Sequence, residues 1–216
     1  MKYKVMIVED QTMPRELFEL RVQASEHFEV ALSVDNAALA DVYCLRFPVD
    51  LILMDVVTRG GESGLDAAER IKRAFPQIKI IIVTSMPECS YLSRAREIGV
   101  ESFWYKEERR ESLLDVMERT MTGESVYPDA TPEMQLGLAS SYKFTDRELE
   151  VLREMTGGDT NQEIAERLHM SVATVKTHIL NMLEKTGFRN RTELAVRARE
   201  SGLVILNRKS ENHWKE

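Results

Sequence analysis

Acidic, hydroxyl and amine side chains follow short apolar runs at intervals through the first half of the chain. Glu9 and Asp10 follow "KVMIV", Asp55 follows "LILM", Thr84 closes "KIIIVT" and Lys106 follows "SFWY". Three neighbouring carboxylates repel one another unless a cation neutralises them, and a set of oxygen ligands suits Mg²⁺. A hydroxyl and a lysine can bind an anion. These residue types therefore predict a site for a phosphoryl group beside a metal ion.

The apolar runs alternate with segments of helical period, which predicts five strands, each followed by a helix. The predicted strands are Lys4–Val8, Phe28–Ser33, Asp50–Met54, Lys79–Thr84 and Glu101–Tyr105. Strict alternation indicates a doubly wound α/β domain, in which helices cover both faces of a parallel sheet. Sites in such domains lie beyond the carboxyl ends of the strands. We expect the first and third strands to be neighbours, so that the acids that follow them converge.

The periodicity changes after residue 122, and from Phe144 onwards it is helical throughout. The helical stretches are "DRELEVLREMTG", "NQEIAERLH", "VATVKTHILNMLEKTG" and "RTELAVRARESG". We interpret 1–122 as the α/β domain, 123–143 as a linker, 144–206 as an all-α four-helix domain and 207–216 as a polar tail.

The third of these helical stretches separates an apolar face from a polar one. Its apolar stripe is Val172, Val175, Ile179, Met182 and Leu183, and the opposite face carries Thr174, Lys176, Thr177, Leu180 and Asn181. The short "HMS" turn joins this stretch to "NQEIAERLH". This layout predicts a helix-turn-helix, whose second helix enters the major groove of DNA.

Charge is distributed unevenly along the chain, whose formal net charge is −7. Residues 1–144 hold 17 Lys and Arg against 24 Asp and Glu, whereas residues 145–216 hold 12 of each. Within 171–199, six basic residues face two acidic ones. Because salt screens charges beyond about 8 Å, this local basic face favours DNA binding, while the overall charge argues against non-specific coating of nucleic acid.

No apolar window approaches the roughly 20 residues that a membrane helix needs, and the N-terminus does not resemble a signal sequence. The two cysteines, Cys44 and Cys89, lack metal-ligand spacing and are interpreted as reduced. We therefore expect a soluble, cytoplasmic protein with no membrane partner.

The motifs together resemble two-component response regulators of the NarL/FixJ class. "VED", "LMD", "VTS" and "FWYK" are similar to the motifs of a receiver domain over residues 1–122. "NQEIAERL", "TVKTH" and "RTELA" are similar to a LuxR-type DNA-binding domain over residues 144–206. Such regulators bind promoter DNA as dimers once activated, and the resemblance implies RNA polymerase as a further partner.

The receiver resemblance implies that Asp55 is the phosphoacceptor, which takes a phosphoryl group from a phosphohistidine on a sensor histidine kinase. It also implies a Mg²⁺ ion held by Asp10, Asp55 and the main-chain carbonyl of Val57, with Glu9 acting through water. The chemistry is then positioning and charge neutralisation.

Three further residues have roles by the same resemblance. Lys106 would pair with the phosphoryl oxygens. Thr84 would move onto those oxygens while Phe103, at the switch aromatic position, turns inward.

The LuxR-type resemblance implies a set of DNA contacts. Lys176, Thr177 and Leu180 would face bases, and Thr174, His178, Lys185 and Arg191 would lie near phosphates. Most relatives have a polar or basic residue at the position of Leu180, so this side chain is expected to touch a thymine methyl or to lower sequence selectivity.

The loop after the phosphoacceptor departs from the family pattern. Family members usually continue with a Met-Pro pair and reach a glycine eight residues on, whereas Thr58 and Arg59 stand here and Gly64 comes after nine. The loop is longer by one residue and lacks a rigid proline, so the resemblance does not fix the position of the Val57 carbonyl. Ser63 has the type and position of a helix N-cap.

Three interpretations remain. The favoured one is a transcription factor, not an enzyme, in which phosphorylation of Asp55 shifts the receiver, releases the recognition helix and promotes dimeric DNA binding. A second keeps DNA binding but uses an unphosphorylated receiver for dimerisation or ligand sensing. The third, a Mg²⁺-dependent phosphohydrolase, ranks last because Val57 stands where a second catalytic acid is needed.

Overall fold

A computed structural model describes residues 2–59, 62–88, 90–106 and 112–204. The chain divides into two units, and the main division falls between Asp129 and Ala130. None of the described helices is long and apolar enough to cross a membrane. The predicted polar tail, 207–216, and Cys89 lie outside the described residues.

The runs of Val, Ile and Leu form the central sheet of the N-terminal unit, because a parallel strand can bury both of its faces. The strands are β1 (Tyr3–Val8), β2 (Phe28–Val34), β3 (Leu51–Met54), β4 (Lys79–Thr84) and β5 (Ser102–Tyr105). They are parallel and ordered β2-β1-β3-β4-β5. The predicted strands are confirmed to within one residue at each end, and the first and third are neighbours.

Helices cover both faces of this sheet. They are α1 (Thr12–Gln23), α2 (Ala40–Arg46), α3 (Gly64–Ala74), α4 (Ser90–Ile98) and α5 (Leu113–Thr122). Alternate strand residues such as Ile7 and Ile81 pack in one buried cluster with Phe18 of α1 and Val116 of α5. The residues between them point to the opposite face, where α3 contacts β4. The doubly wound α/β prediction is confirmed.

The first residues of the predicted linker lie along the outer edge of β5. The Phe103 N–H donates to the Val126 carbonyl at 2.8 Å, and the Val126 N–H donates to Ser102 Oγ at 3.1 Å. The hydroxyl of Tyr127 donates to the Val100 carbonyl at 2.7 Å. These bonds extend the sheet by a short segment that the sequence pattern did not predict.

Later residues of the predicted linker belong to the C-terminal unit. They form an antiparallel hairpin of β6 (Gln135–Leu136) and β7 (Ala139–Ser140), with Gly137 at a positive φ of 61° in the turn. The Leu138 N–H donates to the Thr186 carbonyl at 2.9 Å. Strands of two residues carry no readable hydrophobic period, which is why the sequence did not predict them.

The C-terminal unit is built on the helices α6 (Asp146–Thr156), α7 (Asn161–Arg167), α8 (Val172–Thr186) and α9 (Arg191–Ser201). The hydroxyls of Thr145, Thr160 and Ser171 and the amide oxygen of Asn190 each accept a backbone N–H bond in the first turn of the helix that follows. Such caps satisfy donors that a helix cannot pair internally. The predicted helical domain is therefore confirmed.

Gly64 provides a test of how closely the chain packs behind Asp55. A Cβ atom at this position would lie 1.9 Å from the Asp55 carbonyl oxygen, so the backbone would have to move. We expect Gly64→Ala to reduce the free energy of unfolding by about 3 kcal/mol, as overpacking does, measured by urea denaturation.

Gly99→Ala is the matched control. A Cβ there meets no atom within 4 Å, but the φ of +84° disfavours a side chain, so the expected loss is about 1 kcal/mol. If Gly64→Ala loses no more unfolding free energy than Gly99→Ala, the backbone near Gly64 can move at little cost and the prediction is wrong.

Candidate functional site

Three carboxylates meet at the carboxyl edge of the sheet, as the strand order requires. Glu9 and Asp10 follow β1, Asp55 follows β3, and one oxygen of each lies within 4.8 Å of the others. The Asp55 N–H donates to the Val8 carbonyl at 2.9 Å, which aligns the ends of the two strands. Glu9 and Asp55 are buried, whereas Asp10 is partly exposed. Two acids buried side by side require a compensating positive charge.

Lys106 supplies this charge from the end of β5. Its Nζ donates to Asp55 Oδ2 at 2.7 Å and also to Glu9 Oε2. The Lys106 side chain is 12% exposed, so water screens these ion pairs weakly. Burial lowers the pKa of Lys106, but Asp55 and Glu9 outweigh this effect and hold the pKa above its ordinary value of 10.5. Lys106 therefore stays protonated between the two acids.

The ionisation of Asp55 is controlled by competing effects. Burial raises its pKa, Lys106 lowers it and Glu9 raises it again, and the result is a pKa of about 6 instead of the ordinary 3.8. The carboxylate is thus less stable inside the protein than in water. A divalent cation beside it would favour the charged form, and three carboxylate oxygen donors fit Mg²⁺.

The two predicted switch residues lie on adjacent strands. Thr84 ends β4, is fully buried and is paired in register with Tyr105 of β5. Phe103 is buried, and its ring centroid lies 5.0 Å from that of Tyr105 and 6.3 Å from that of Tyr127. Thr84 therefore lies at the same edge as the acids, and Phe103 lies between that edge and the linker residues along β5.

The loop after β3 brings Val57 back beside the acids. The Val57 N–H donates to Asp55 Oδ1 at 3.5 Å, and Val57 forms an isolated antiparallel bridge with Ser63. Ser63 Oγ accepts the Leu65 N–H at 3.2 Å, so the predicted N-cap of α3 is confirmed. The described residues on both sides of this loop therefore lie beside Asp55.

The helices α7 and α8 form a second candidate site in the C-terminal unit. Their connecting turn contains His169 at a φ of 52°. On α8, Val175, Ile179 and Met182 are buried. The exposed residues include Thr174, Lys176, Thr177, Leu180 and Asn181, and His178 is half-buried. Leu180 is 65% exposed, and because single exposed leucines are common on protein surfaces, this exposure alone assigns it no role.

Comparison with known proteins identifies the families of both units. A family model of the response regulator receiver domain matches residues 5–118, and a model of bacterial regulatory proteins of the luxR family matches residues 142–198. The chain is a response regulator of the NarL/FixJ class. It carries a receiver domain and a LuxR-type DNA-binding domain.

Similar proteins extend over almost the whole regulator. The response regulator protein VraR of Staphylococcus epidermidis is 32% identical over 209 residues, which are 94% of this chain and 100% of VraR. RcsB from Salmonella enterica serovar Typhimurium, solved bound to promoter P1flhDC in the presence of the phosphomimetic BeF3⁻, is 21% identical with a TM-score of 0.61. That match covers 94% of this chain and 100% of RcsB, and it shows a shared fold.

The response regulator ChrA of a heme-sensing two-component system is a third similar protein. Its crystal structure matches 94% of this chain and 98% of ChrA, with 21% identity and a TM-score of 0.51. At this level of identity, the likeness again concerns the fold.

Two of the predicted phosphate contacts of the regulator are held inside its DNA-binding domain. Lys185 Nζ donates to both carboxylate oxygens of Glu148, at 2.8 and 2.6 Å, and to the Lys143 carbonyl at 2.8 Å. Arg191 donates to Asn161 Oδ1 at 2.8 Å and to the Asp159 carbonyl at 2.7 Å. Both cations therefore connect elements of the domain.

Helix geometry explains why Lys176 and Lys185 differ. Nine positions separate them, and at 3.6 residues per turn this spacing places them on opposite sides of α8. Within the part of the chain that the structure describes, Lys176 is exposed and has no hydrogen-bond or ion-pair partner. The helical spacing by itself thus assigns the two lysines to different faces.

Glu148 is a residue whose importance the sequence analysis missed. It is 2% exposed, completes the capping box of α6 with Thr145 and accepts both bonds from Lys185. Burial raises the pKa of Glu148, but the hydrogen bonds and charge of Lys185 and the bonds from Thr145 lower it by more, so the pKa lies below its ordinary value of 4.5. The pattern "TDRE", a hydroxyl followed three residues later by Glu, is the signal that identifies such a cap.

The raised pKa of Asp55 gives a prediction for the metal-free regulator. Since the folded protein disfavours the carboxylate, the contribution of Asp55 to stability falls as pH rises from about 4 towards 6 and stays lower above that range. Asp55→Asn removes the cost, so we expect it to raise the free energy of unfolding by about 3 kcal/mol near pH 8. The gain should shrink as pH approaches about 4, where the acid is neutral in both states.

Denaturant unfolding in the presence of EDTA measures this effect at both pH values. A gain that does not change with pH would contradict the assignment of a raised pKa to Asp55.

The two lysines of α8 give a second prediction. Because Lys176 is predicted to face bases, we expect Lys176→Ala to leave thermal stability unchanged, to weaken binding to promoter DNA by about 1–3 kcal/mol and to relax sequence specificity. Lys185→Ala leaves Glu148 buried without its cation, so we expect it to reduce the free energy of unfolding by about 2 kcal/mol.

Fluorescence anisotropy with promoter DNA and with a non-specific duplex measures the change in binding, and thermal unfolding measures the change in stability. A stability loss in Lys176→Ala, or no stability loss in Lys185→Ala, would contradict the assignment of Lys176 to the DNA-binding face and of Lys185 to the interior of the domain.

Proposed function

We propose that this DNA-binding response regulator is switched by phosphorylation of Asp55 by a sensor histidine kinase. The observation that supports this function is the arrangement at the carboxyl edge of the sheet. A buried carboxylate lies among two further acids and is bonded to a buried lysine. An aspartate with these neighbours has both a metal ligand set and a cation for the incoming phosphoryl oxygens.

The metal proposed for this site is Mg²⁺. Glu9, Asp10 and Asp55 would hold it with the Val57 carbonyl, and Glu9 would act through water. When bound, it would neutralise the phosphoryl oxygens during the transfer. Three carboxylates outnumber the single positive charge of Lys106, so the site can accept the positive charge of a divalent cation.

The transfer itself uses the carboxylate of Asp55 as the nucleophile. One Asp55 oxygen bonds to the phosphorus of the phosphohistidine, the nitrogen–phosphorus bond breaks, and the imidazole of the kinase keeps the electron pair. Lys106, whose Nζ lies 2.7 Å from Asp55 Oδ2, can then exchange that partner for a phosphoryl oxygen. Positioning and charge neutralisation do most of the work in such transfers.

The switch is proposed to run from Thr84 to Phe103. The hydroxyl of Thr84 would bond to the phosphoryl group, and Phe103 would repack next to it. The main chain of Phe103 is bonded to Val126, at the start of the linker. Repacking of β5 would therefore reach the linker directly. A difference of about 1–3 kcal/mol between the two states is typical of such coupling.

The proposed output is dimeric binding to promoter DNA and control of transcription through RNA polymerase. Lys176, Thr177 and Leu180 are proposed to face bases, and Thr174 and His178 to lie near phosphates. Lys185 and Arg191 are proposed as further phosphate contacts that also hold the domain together. The protein is proposed to act as a transcription factor, with no catalytic turnover of its own.

Incubation with Mg²⁺ and a small phosphodonor tests this function. We expect a stable adduct of about 80 Da, one phosphoryl group, in the wild type and none in Asp55→Asn, measured by intact-mass spectrometry. DNA affinity should rise with the adduct, by about 5–150-fold for typical coupling energies. Phosphate release over many turnovers would instead indicate a phosphohydrolase.

A second candidate function follows from the altered loop at Thr58 and Arg59. The receiver would then serve dimerisation or ligand sensing without phosphorylation, while the helix-turn-helix still binds DNA. In the same experiment, this function predicts DNA binding that is equal in the wild type and Asp55→Asn, with no adduct in either protein.

A further inference from the structure

Thr58 is a buried polar residue that directly follows Val57 in the loop between β3 and α3. It is 6% exposed. Its Oγ1 accepts the Ala37 N–H at 3.1 Å and donates to the Glu62 carbonyl at 3.5 Å. The hydroxyl therefore joins both limbs of the loop to the short 3-10 turn that begins at Ala37.

Arg70 of α3 makes a second connection between this loop and the same segment. Its guanidinium pairs with the Glu62 carboxylate and donates to the Ala38 carbonyl at 3.3 Å and to Asp41 Oδ1 at 3.4 Å. Two separate connections, one through Thr58 and one through Arg70, thus hold the loop against residues 37–41. The first connection starts from Thr58, next to Val57, and the second starts from Glu62, at the other end of the loop.

The sequence of the loop explains why such connections are needed. No proline lies between Asp55 and Gly64, so no ring fixes the backbone there. Val57 pairs with Ser63, and the Gly64 N–H donates to the Val56 carbonyl at 2.8 Å. These local bonds close the loop, whereas the bonds of Thr58 and Arg70 fix its position relative to residues 37–41.

We propose that Thr58 is a positioning residue for the metal site. Its hydroxyl, supported by Arg70, holds the main chain at Val57 beside Asp55, so that the Val57 carbonyl can act with the three carboxylates on a divalent cation. The inference rests on the proposed function, because Mg²⁺ is the cation proposed there. Thr58 acts through Val57, and residues that orient a ligand in this way change metal affinity by about 10–100-fold.

Calorimetric titration of the full chain with Mg²⁺ tests the role of the hydroxyl. Thr58→Val keeps the shape of the side chain but leaves the Ala37 N–H without its acceptor. We expect the Kd for Mg²⁺ to rise about 10-fold, and we expect Thr58→Ser, which retains the hydroxyl, to bind as the wild type does.

Thr120→Val is the matched control for a general loss of stability. Thr120 is buried like Thr58, and its hydroxyl bonds to Ser102 Oγ at 2.7 Å and to the Val116 carbonyl at 2.6 Å. Ser102 begins β5, so this pair lies at the opposite end of the strand from Lys106. We expect Thr120→Val to lower the thermal midpoint and to keep the wild-type Kd for Mg²⁺.

Arg70→Gln is a second variant that separates position from charge. Loss of a positive charge should by itself strengthen Mg²⁺ binding, whereas release of the loop should weaken it. Arg73→Gln removes the same charge from the same helix, but Arg73 pairs with Glu69 at 2.7 Å and is exposed. We expect Arg70→Gln to bind Mg²⁺ several-fold more weakly than Arg73→Gln.

The outcomes separate this inference from the proposed function. Unchanged Mg²⁺ affinity in Thr58→Val, or an equal loss in Thr120→Val, overturns the inference, and Asp55 can still accept a phosphoryl group. Equal affinities for Arg70→Gln and Arg73→Gln also contradict it. A wild-type protein that binds no Mg²⁺ and forms no adduct refutes the proposed function and this inference together.

Discussion

Two carboxylates buried side by side repel each other strongly, because little water screens them. In this protein the ammonium of Lys106 lies between Glu9 and Asp55 and bonds to both. This contact joins the ends of β1, β3 and β5, which are far apart in the chain, at one edge of the sheet. Lys106 offsets only part of the cost of this site: burial, and to a smaller extent Glu9, still hold the pKa of Asp55 above its ordinary value. Negative charge at this site is therefore only partly neutralised. We expect a bound metal ion, or the loss of the negative charge of Asp55, to lower the electrostatic energy of the site strongly.

The C-terminal unit also contains a buried carboxylate whose charge a lysine neutralises. Glu148 is buried at the start of α6, and Lys185 near the end of α8 neutralises it. This bond fixes the recognition helix to the body of the domain on the side that faces away from Lys176. One helix therefore carries a structural lysine and an exposed lysine, and their positions on the helical wheel decide which is which. Net charge along the segment could not distinguish them.

The sequence predicted the parts of the molecule in which a residue's type is tied to a local pattern. Runs such as "LILM" predicted the strands, and the acids at their ends could be assigned to one edge because parallel strands all end there. The bonds of Val126 to β5, of Arg70 to Glu62 and of Lys185 to Glu148 were not predictable in this way. Each joins residues that are separated along the chain without a repeating pattern. The β6–β7 hairpin was missed because its strands are too short to show a period.

The segment around Val126 also determines where the receiver can be separated from the rest of the chain. In the native chain, β5 is the last strand of the sheet, and Val126 occupies part of its outer edge. A fragment that ends with α5 at Thr122 would leave the main-chain N–H of Phe103 without this partner. Unpaired strand edges attract other strands and promote aggregation. The compact N-terminal unit accordingly continues past α5 as far as Asp129.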